Sequence, residues 1–127
     1  MYMNVKINTK EKFHAITLLA THLTATMSDE LESCLVPFLQ KEVKNVIIIL
    51  KDIQNMDIAA AQKIIHIQQK YYDNNASFVI CELQDNVESI LSSFGLLEIM
   101  NTTPTESEAG DIVQMEEMER ELMKDED

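Results

Sequence analysis

The side chains that could do chemistry in this chain are few, and their spacing forms no familiar catalytic arrangement. The histidines are His14, His22 and His66, and the cysteines are Cys34 and Cys81. No CxxC or HxxxH spacing occurs among them, so no metal site is expected. Gly95 and Gly110 are the only glycines, too few for a glycine-rich phosphate loop. No serine, histidine and aspartate follow the order of a nucleophile elbow, and no carboxylate pair stands apart from ordinary surface charge. Tyr71 and Tyr72 could stack on a nucleotide, but at a helix end they suit a cap on the core. Neither catalysis nor a cofactor is expected.

One stretch still needs an explanation: NMDIAAAQKI, residues 55–64. Asp57 is placed to cap a helix, yet Ile58, Ala59, Ala60 and Ala61 cannot accept a phosphate, bind a metal or attack a substrate. One reading is a plain helix start, with a cap worth ~1 kcal/mol and alanines that favour helix. The other is a functional loop whose reactive residue has been replaced.

The bulk properties set the frame. A chain of 127 residues, 46% hydrophobic and 25% charged, suits one globular domain with a real core. Its opening residues, MYMNVKINTK, have no signal-peptide core, and its longest apolar run, VIIIL, is too short to span a bilayer. A cytoplasmic location without membrane insertion is the default expectation. Net charge is −12, with −8 of it in residues 105–127. Nucleic acid or an anionic membrane would repel such a chain. Both cysteines read as small buried hydrophobes, Cys34 in a helical stripe and Cys81 in a strand.

The elements that would position these residues follow from periodicity. MNVKIN alternates Met3, Val5 and Ile7 with polar residues and predicts a half-buried strand. The polar turn NTKEK leads into a second strand over roughly residues 13–19, which suggests a hairpin. Ser28 is a plausible N-cap for a helix running to about Lys41, with Pro37 predicting a kink or early break. VIIIL is apolar throughout, as expected of an internal strand covered on both faces. A helix over residues 58–72 ends at DNN, SFVICEL is the next strand, and DNVESILSSF is a helix stopped by Gly95. LLEIM suits a short last strand. A terminal helix over about residues 111–123 places Ile112, Met115, Met118 and Leu122 on one face, which is expected to dock weakly on the core. Strands alternating with helices imply a single α/β domain: a mixed, mostly parallel sheet of four to five strands, about four helices and an acidic C-terminal helix.

Three segments, in this order and spacing, resemble the STAS domain family, named for sulfate transporters and anti-sigma-factor antagonists. HLTATMSDELESCL (residues 22–35) is similar to the family's "LDaxxxxxLxxxL" at its first helix. VIIILKDIQNMDIAAA (46–61) is similar to its strand, spacer and "hDSSGL" loop. VESILSSFGLLEIM (87–100) is similar to "VxxxLxxxGLxxhh". The resemblance covers about residues 3–113, which implies a STAS-like domain over 1–113 and an acidic helical extension over 114–127.

In switching members of that family, the serine after the aspartate is phosphorylated by a partner kinase. Asp57 matches the aspartate, but Ile58 occupies the phosphoacceptor position and Ala59, Ala60 and Ala61 replace the residues after it. Thr24 stands where an acidic residue is usual. No serine or threonine occurs between Val43 and Ala76, so a shifted alignment restores no acceptor. The resemblance therefore implies a non-catalytic interaction module without the serine switch. Its partner-binding surface would comprise Thr24, Ala25, Thr26, Asp57, Ile58, Ala59, Ala60 and Lys63, with Ile67 on the same outward helix face. The partner would be an anti-sigma kinase-like regulator. The alternative is a small cytoplasmic STAS subunit of an ABC-type lipid-transport complex, bound to its permease or ATPase. A homodimer is compatible with either.

Overall fold

A computed structural model describes residues 4–125. In chain order the elements are β1 (Val5–Thr9), β2 (His14–Leu18), β3 (His22–Leu23), α1 (Ala25–Leu35), β4 (Val46–Ile49), β5 (Asn55–Met56), α2 (Ile58–Asp73), β6 (Phe78–Cys81), α3 (Asp85–Ser93), β7 (Thr102–Thr103) and α4 (Glu106–Asp125). Short 3-10 turns at Val36–Gln40 and Leu97–Ile99 follow α1 and α3. Five strands form one mixed sheet in the order β1-β2-β4-β6-β7, and β3 and β5 form a small second one. β1 and β2 are the expected antiparallel hairpin, and every other pairing is parallel.

The central position of β4 follows from its composition. Val46 and Ile48, with Leu50 beyond the strand, point to one side and pack with Leu31, Leu35, Ala61, Ile64, Val87 and Leu91 from α1, α2 and α3. Ile47 and Ile49 point to the other side and pack with Ala15, Val79, Cys81, Ala109 and Val113. A strand without a polar face needs a layer on each side, and α4 supplies the second.

Of the four residues expected to dock α4, half-buried Ile112 packs against the core, but the other three do not, and the helix meets the sheet mainly by Ala109 and Val113. Met115, Met118 and Leu122 are 48%, 60% and 66% exposed, whereas Ala109 and Val113 are fully buried. The apolar spacing correctly identified a stripe, but only packing decides which of two stripes meets the sheet. Polar contacts at the amino ends of the strands fix this orientation. The Asn45 amide donates to the Lys12 carbonyl and to Glu117 Oε1, both at 3.0 Å. Its Oδ1 accepts from the Ser77 backbone N–H at 2.7 Å and from Arg120 Nη2 at 3.3 Å. Arg120 also donates to Ser77 Oγ at 3.1 Å, and the Tyr72 hydroxyl donates to Glu116 at 2.8 Å.

Local differences from the sequence reading have equally local causes. α1 starts at Ala25, capped by Thr24, whose Oγ1 accepts from the Met27 N–H at 3.2 Å. Ser28 is not the cap: it is buried inside the helix, and its hydroxyl donates to the Ala25 carbonyl at 2.6 Å. Both residues are good caps followed by plausible helix, so local propensity does not separate them. α1 gives way to a 3-10 turn at Pro37, as expected. Gly95, at φ +71°, ends α3 in a Schellman arrangement, with Leu96 N–H on the Leu91 carbonyl and Gly95 N–H on that of Ser92. That turn carries LLEIM into a 3-10 helix rather than the expected strand, and β7 forms only at Thr102. Val5 is half-buried, but Ile7 at the sheet edge is 45% exposed. Met3 lies outside the described residues.

The buried histidine and the cysteines are placed for structure. His14 is buried, with Nε2 donating to the Val43 carbonyl, Nδ1 bonded to the Thr9 hydroxyl, and its ring 4.4 Å from that of Phe38. Both cysteines are free; Cys34 is half-buried and Cys81 buried. Burial raises both thiols, Cys81 to about 12, opposite to what a nucleophilic thiolate needs.

Two expectations follow. The backbone amides of Ile47 to Ile49, hydrogen-bonded on both sides in the middle of the sheet, should be among the slowest to exchange with deuterium; rapid exchange in the folded protein would contradict the central placement of β4. Val113→Asp should destabilise the domain by about 3 kcal/mol in denaturant titration, because it buries an unpaired carboxylate. Met115→Gln should stay within about 0.5 kcal/mol of wild type, and the reverse ranking would mean that α4 docks by its other face.

Candidate functional site

β2 and β4 run parallel, so the chain leaves both at the same, carboxyl, end of the sheet. There the two short strands β3 and β5 pair in parallel, with His22 opposite Asn55 and Leu23 opposite Met56. Backbone bonds tie the segments together: Gln54 N–H to the Thr21 carbonyl at 2.7 Å, and Asp57 N–H to that of Leu23 at 3.0 Å. The helices that follow each strand, α1 and α2, consequently begin side by side. Loops beyond the carboxyl ends of parallel strands are the usual place for recognition in open α/β sheets.

Asp57 occupies the N-cap position of α2, and its backbone carbonyl accepts from Ala61 N–H at 3.1 Å. Its side chain does not cap the helix. Oδ1 instead lies 3.0 Å from His22 Nε2, in a pair whose side chains are 46% and 42% exposed. Simple capping therefore does not explain the aspartate. Sequence reasoning missed His22 as its partner, because only the register of two two-residue strands joins positions 35 residues apart.

The expected surface divides by burial. Ala25, Thr26 and Ala59 are exposed, as is Asp57, while Thr24, Ile58 and Lys63 are half-buried. These seven lie at or near the two helix starts. Ala60 and Ile67 are fully buried and cannot contact a partner. They were expected on an outward face of α2, but α1 packs along that side, and Ile67 joins the main core with Leu31 and Leu35. A helical wheel against one sheet cannot register the second helix. Ile58, the first residue of α2, keeps part of its side chain in solvent.

Beside this surface, an ion cluster joins the helices. Lys63 Nζ lies 2.9 Å from Glu32 Oε1 and 3.5 Å from Asp29 Oδ1, and Lys70 lies 3.3 Å from Glu32 Oε2. The hydrogen bond from Lys63, supported by Lys70, holds the Glu32 carboxyl below its usual range, and the same bond raises Lys63. Lys63 is thus already engaged with two carboxylates. Among the described residues, no cluster of histidine, cysteine or carboxylate side chains could hold a metal ion, and no helix is long and apolar enough to cross a membrane.

Comparison with known proteins places this geometry. No curated protein matches the sequence. Solved structures share the fold at low identity. A Thermotoga maritima protein assigned as an anti-sigma factor antagonist has 20% identity and a TM-score of 0.72, covering 87% of this chain and 94% of that one. The anti-sigma factor antagonist SpoIIAA, in its unphosphorylated form, has 16% identity and a TM-score of 0.68 over 87% and 96% of the two chains. Part of the murine anion transporter Slc26a9 also matches, at 10% identity and a TM-score of 0.68, covering 85% of this chain but 18% of the transporter. The model of the STAS domain matches residues 4–109, from the first strand to the start of α4. The sheet order, the joined helix starts and this match lead to one conclusion: the chain belongs to the STAS domain family.

Proposed function

We propose that this protein is a non-catalytic binding module that engages a regulatory protein, of the anti-sigma kinase type, through the adjoining starts of α1 and α2. The surface comprises Thr24, Ala25, Thr26, Asp57, Ile58, Ala59 and Lys63. The observation that carries this reading is half-buried Ile58, whose side chain stays partly in solvent at the first turn of α2, where switching relatives carry their phosphoacceptor. An apolar side chain left partly in water beside exposed Ala25 and Ala59 suits a protein contact better than a phosphate or a metal. It cannot be phosphorylated, so the partner's own state or its abundance would set occupancy. A second reading, docking on a transport complex, draws on the likeness to part of Slc26a9. It uses the same fold and differs in the partner recovered from the cell.

Ile58→Asp provides the test. A carboxylate at the first position of α2 faces the positive end of the helix and is compatible with folding. In a closing interface the same carboxylate would be desolvated and unpaired, weakening binding by about 2–4 kcal/mol. The partner is to be isolated by pull-down from the native cell, then titrated with wild type, Ile58→Asp and the β1 control Lys6→Asp. Selective loss for Ile58→Asp is the expected outcome. Equal affinities for three folded proteins would remove Ile58 from the interface, and a permease or its ATPase in the pull-down would favour transport.

A further inference from the structure

We propose that the outward face of α4 is a second binding surface, and that it takes a basic amphipathic helix from a partner protein. Met115, Met118 and Leu122 recur at i, i+3 and i+7, one stripe of a helix, and are 48%, 60% and 66% exposed. The helix cannot roll to bury them. Ala109 and Val113 are committed to the sheet on its other side, and Arg120, Glu116 and Glu117 are held by Ser77, Tyr72 and Asn45. The stripe forms a shallow apolar groove bordered by Asp111, Gln114 and Glu119.

Charge selects the occupant. The bases of α4 are Arg120 and Lys124, and neither borders the groove. Arg120 turns inward to Asn45 and Ser77, while Lys124 lines a separate cavity with Lys12 and Lys44. The groove is thus apolar with acidic borders, in a chain of net charge −12. A second copy docked by this face would bring Asp111 and Glu119 close to like charges, and an anionic lipid surface would be repelled. An amphipathic helix with lysine or arginine beside its apolar stripe satisfies both features: its apolar side chains meet flexible methionines and its cations meet the acidic border. α4 covers the sheet face opposite α1 and α2, so this surface is separate from the one around Ile58.

The test uses the full chain and a fluorescein-labelled leucine-lysine peptide with helical apolar periodicity. A scrambled peptide of identical composition controls for net charge alone. Fluorescence anisotropy should show wild type binding the amphipathic peptide at least about tenfold more tightly than the scrambled one, with affinity falling as salt rises. Met118→Gln combined with Leu122→Gln should abolish that preference at an unchanged melting temperature, whereas Ile7→Gln, at an exposed apolar site on β1, should preserve it. Equal binding of the two peptides, absence of binding, or an unaffected double variant would overturn the proposal. So would sedimentation of wild type as a dimer that the double variant dissociates, since the occupant would then be a second copy.

Discussion

Burial of β4 on both faces is the constraint from which the rest of the architecture follows. Val46 to Ile49 offer no side that tolerates water, so each face of the sheet must carry a helical layer. One layer forms from α1, α2 and α3 along the crossover connections. The other has to come from α4, the most acidic segment of the chain. Its acids are accommodated because the inner side of the helix is narrow: Ala109 and Val113, with half-buried Ile112 beside them, make the apolar contact, and Glu116 and Glu117 reach polar partners at the sheet's end. A helix whose composition suggests a solvated appendage is thereby part of the core.

The two ends of the sheet do different work. At the amino ends of the strands, Asn45, Ser77, Tyr72 and Asn101 face inward and are mutually satisfied, an arrangement that holds layers together. At the carboxyl ends, β3 and β5 add two rungs of parallel pairing and bring two helix starts together. Exposed Ala25 and Ala59 and half-buried Ile58 border solvent there, close to the His22–Asp57 pair. Polar groups bonded to the protein itself and apolar groups left partly in solvent are opposite uses of surface, and the second kind suits recognition.

How far the sequence foretold this depended on whether the signal was local. The unbroken apolar run of β4, the break at Pro37 and the stop at Gly95 are properties of a few neighbouring residues, and each appears where expected. The choice between Thr24 and Ser28 as cap turned on which of them the core encloses, and no local pattern carries that information. Ala60 and Ile67 were assigned outward because a wheel drawn against one sheet ignores α1. Of the stripe Ile112, Met115, Met118 and Leu122, Ile112 packs on the core as expected while the other three face solvent, since two stripes competed and the decisive contacts came from Asn45 and Ser77, far back in the chain. The helix start at Asp57 and Ile58 was legible through its spacing after VIIIL. The partnership of His22 with Asp57 was not, because it exists only in the register of two very short strands.

Asn45 gives the molecule a chemical vulnerability. Its amide nitrogen serves the Lys12 carbonyl and Glu117, while its oxygen serves Ser77 and Arg120, so the residue works as donor and acceptor at once. Hydrolytic deamidation would exchange one NH2 for an oxygen and leave the shape almost unchanged. The product would face a carbonyl and the Glu117 carboxylate with acceptors only. The bond to Ser77 and the attraction of Arg120 would survive, while the two contacts reaching β2's approach and α4 would turn repulsive. Ageing of a single side chain could in this way loosen the acidic helix from the sheet without altering a hydrophobic contact, and the burial of Asn45 at 4% exposure restricts the water that such hydrolysis needs.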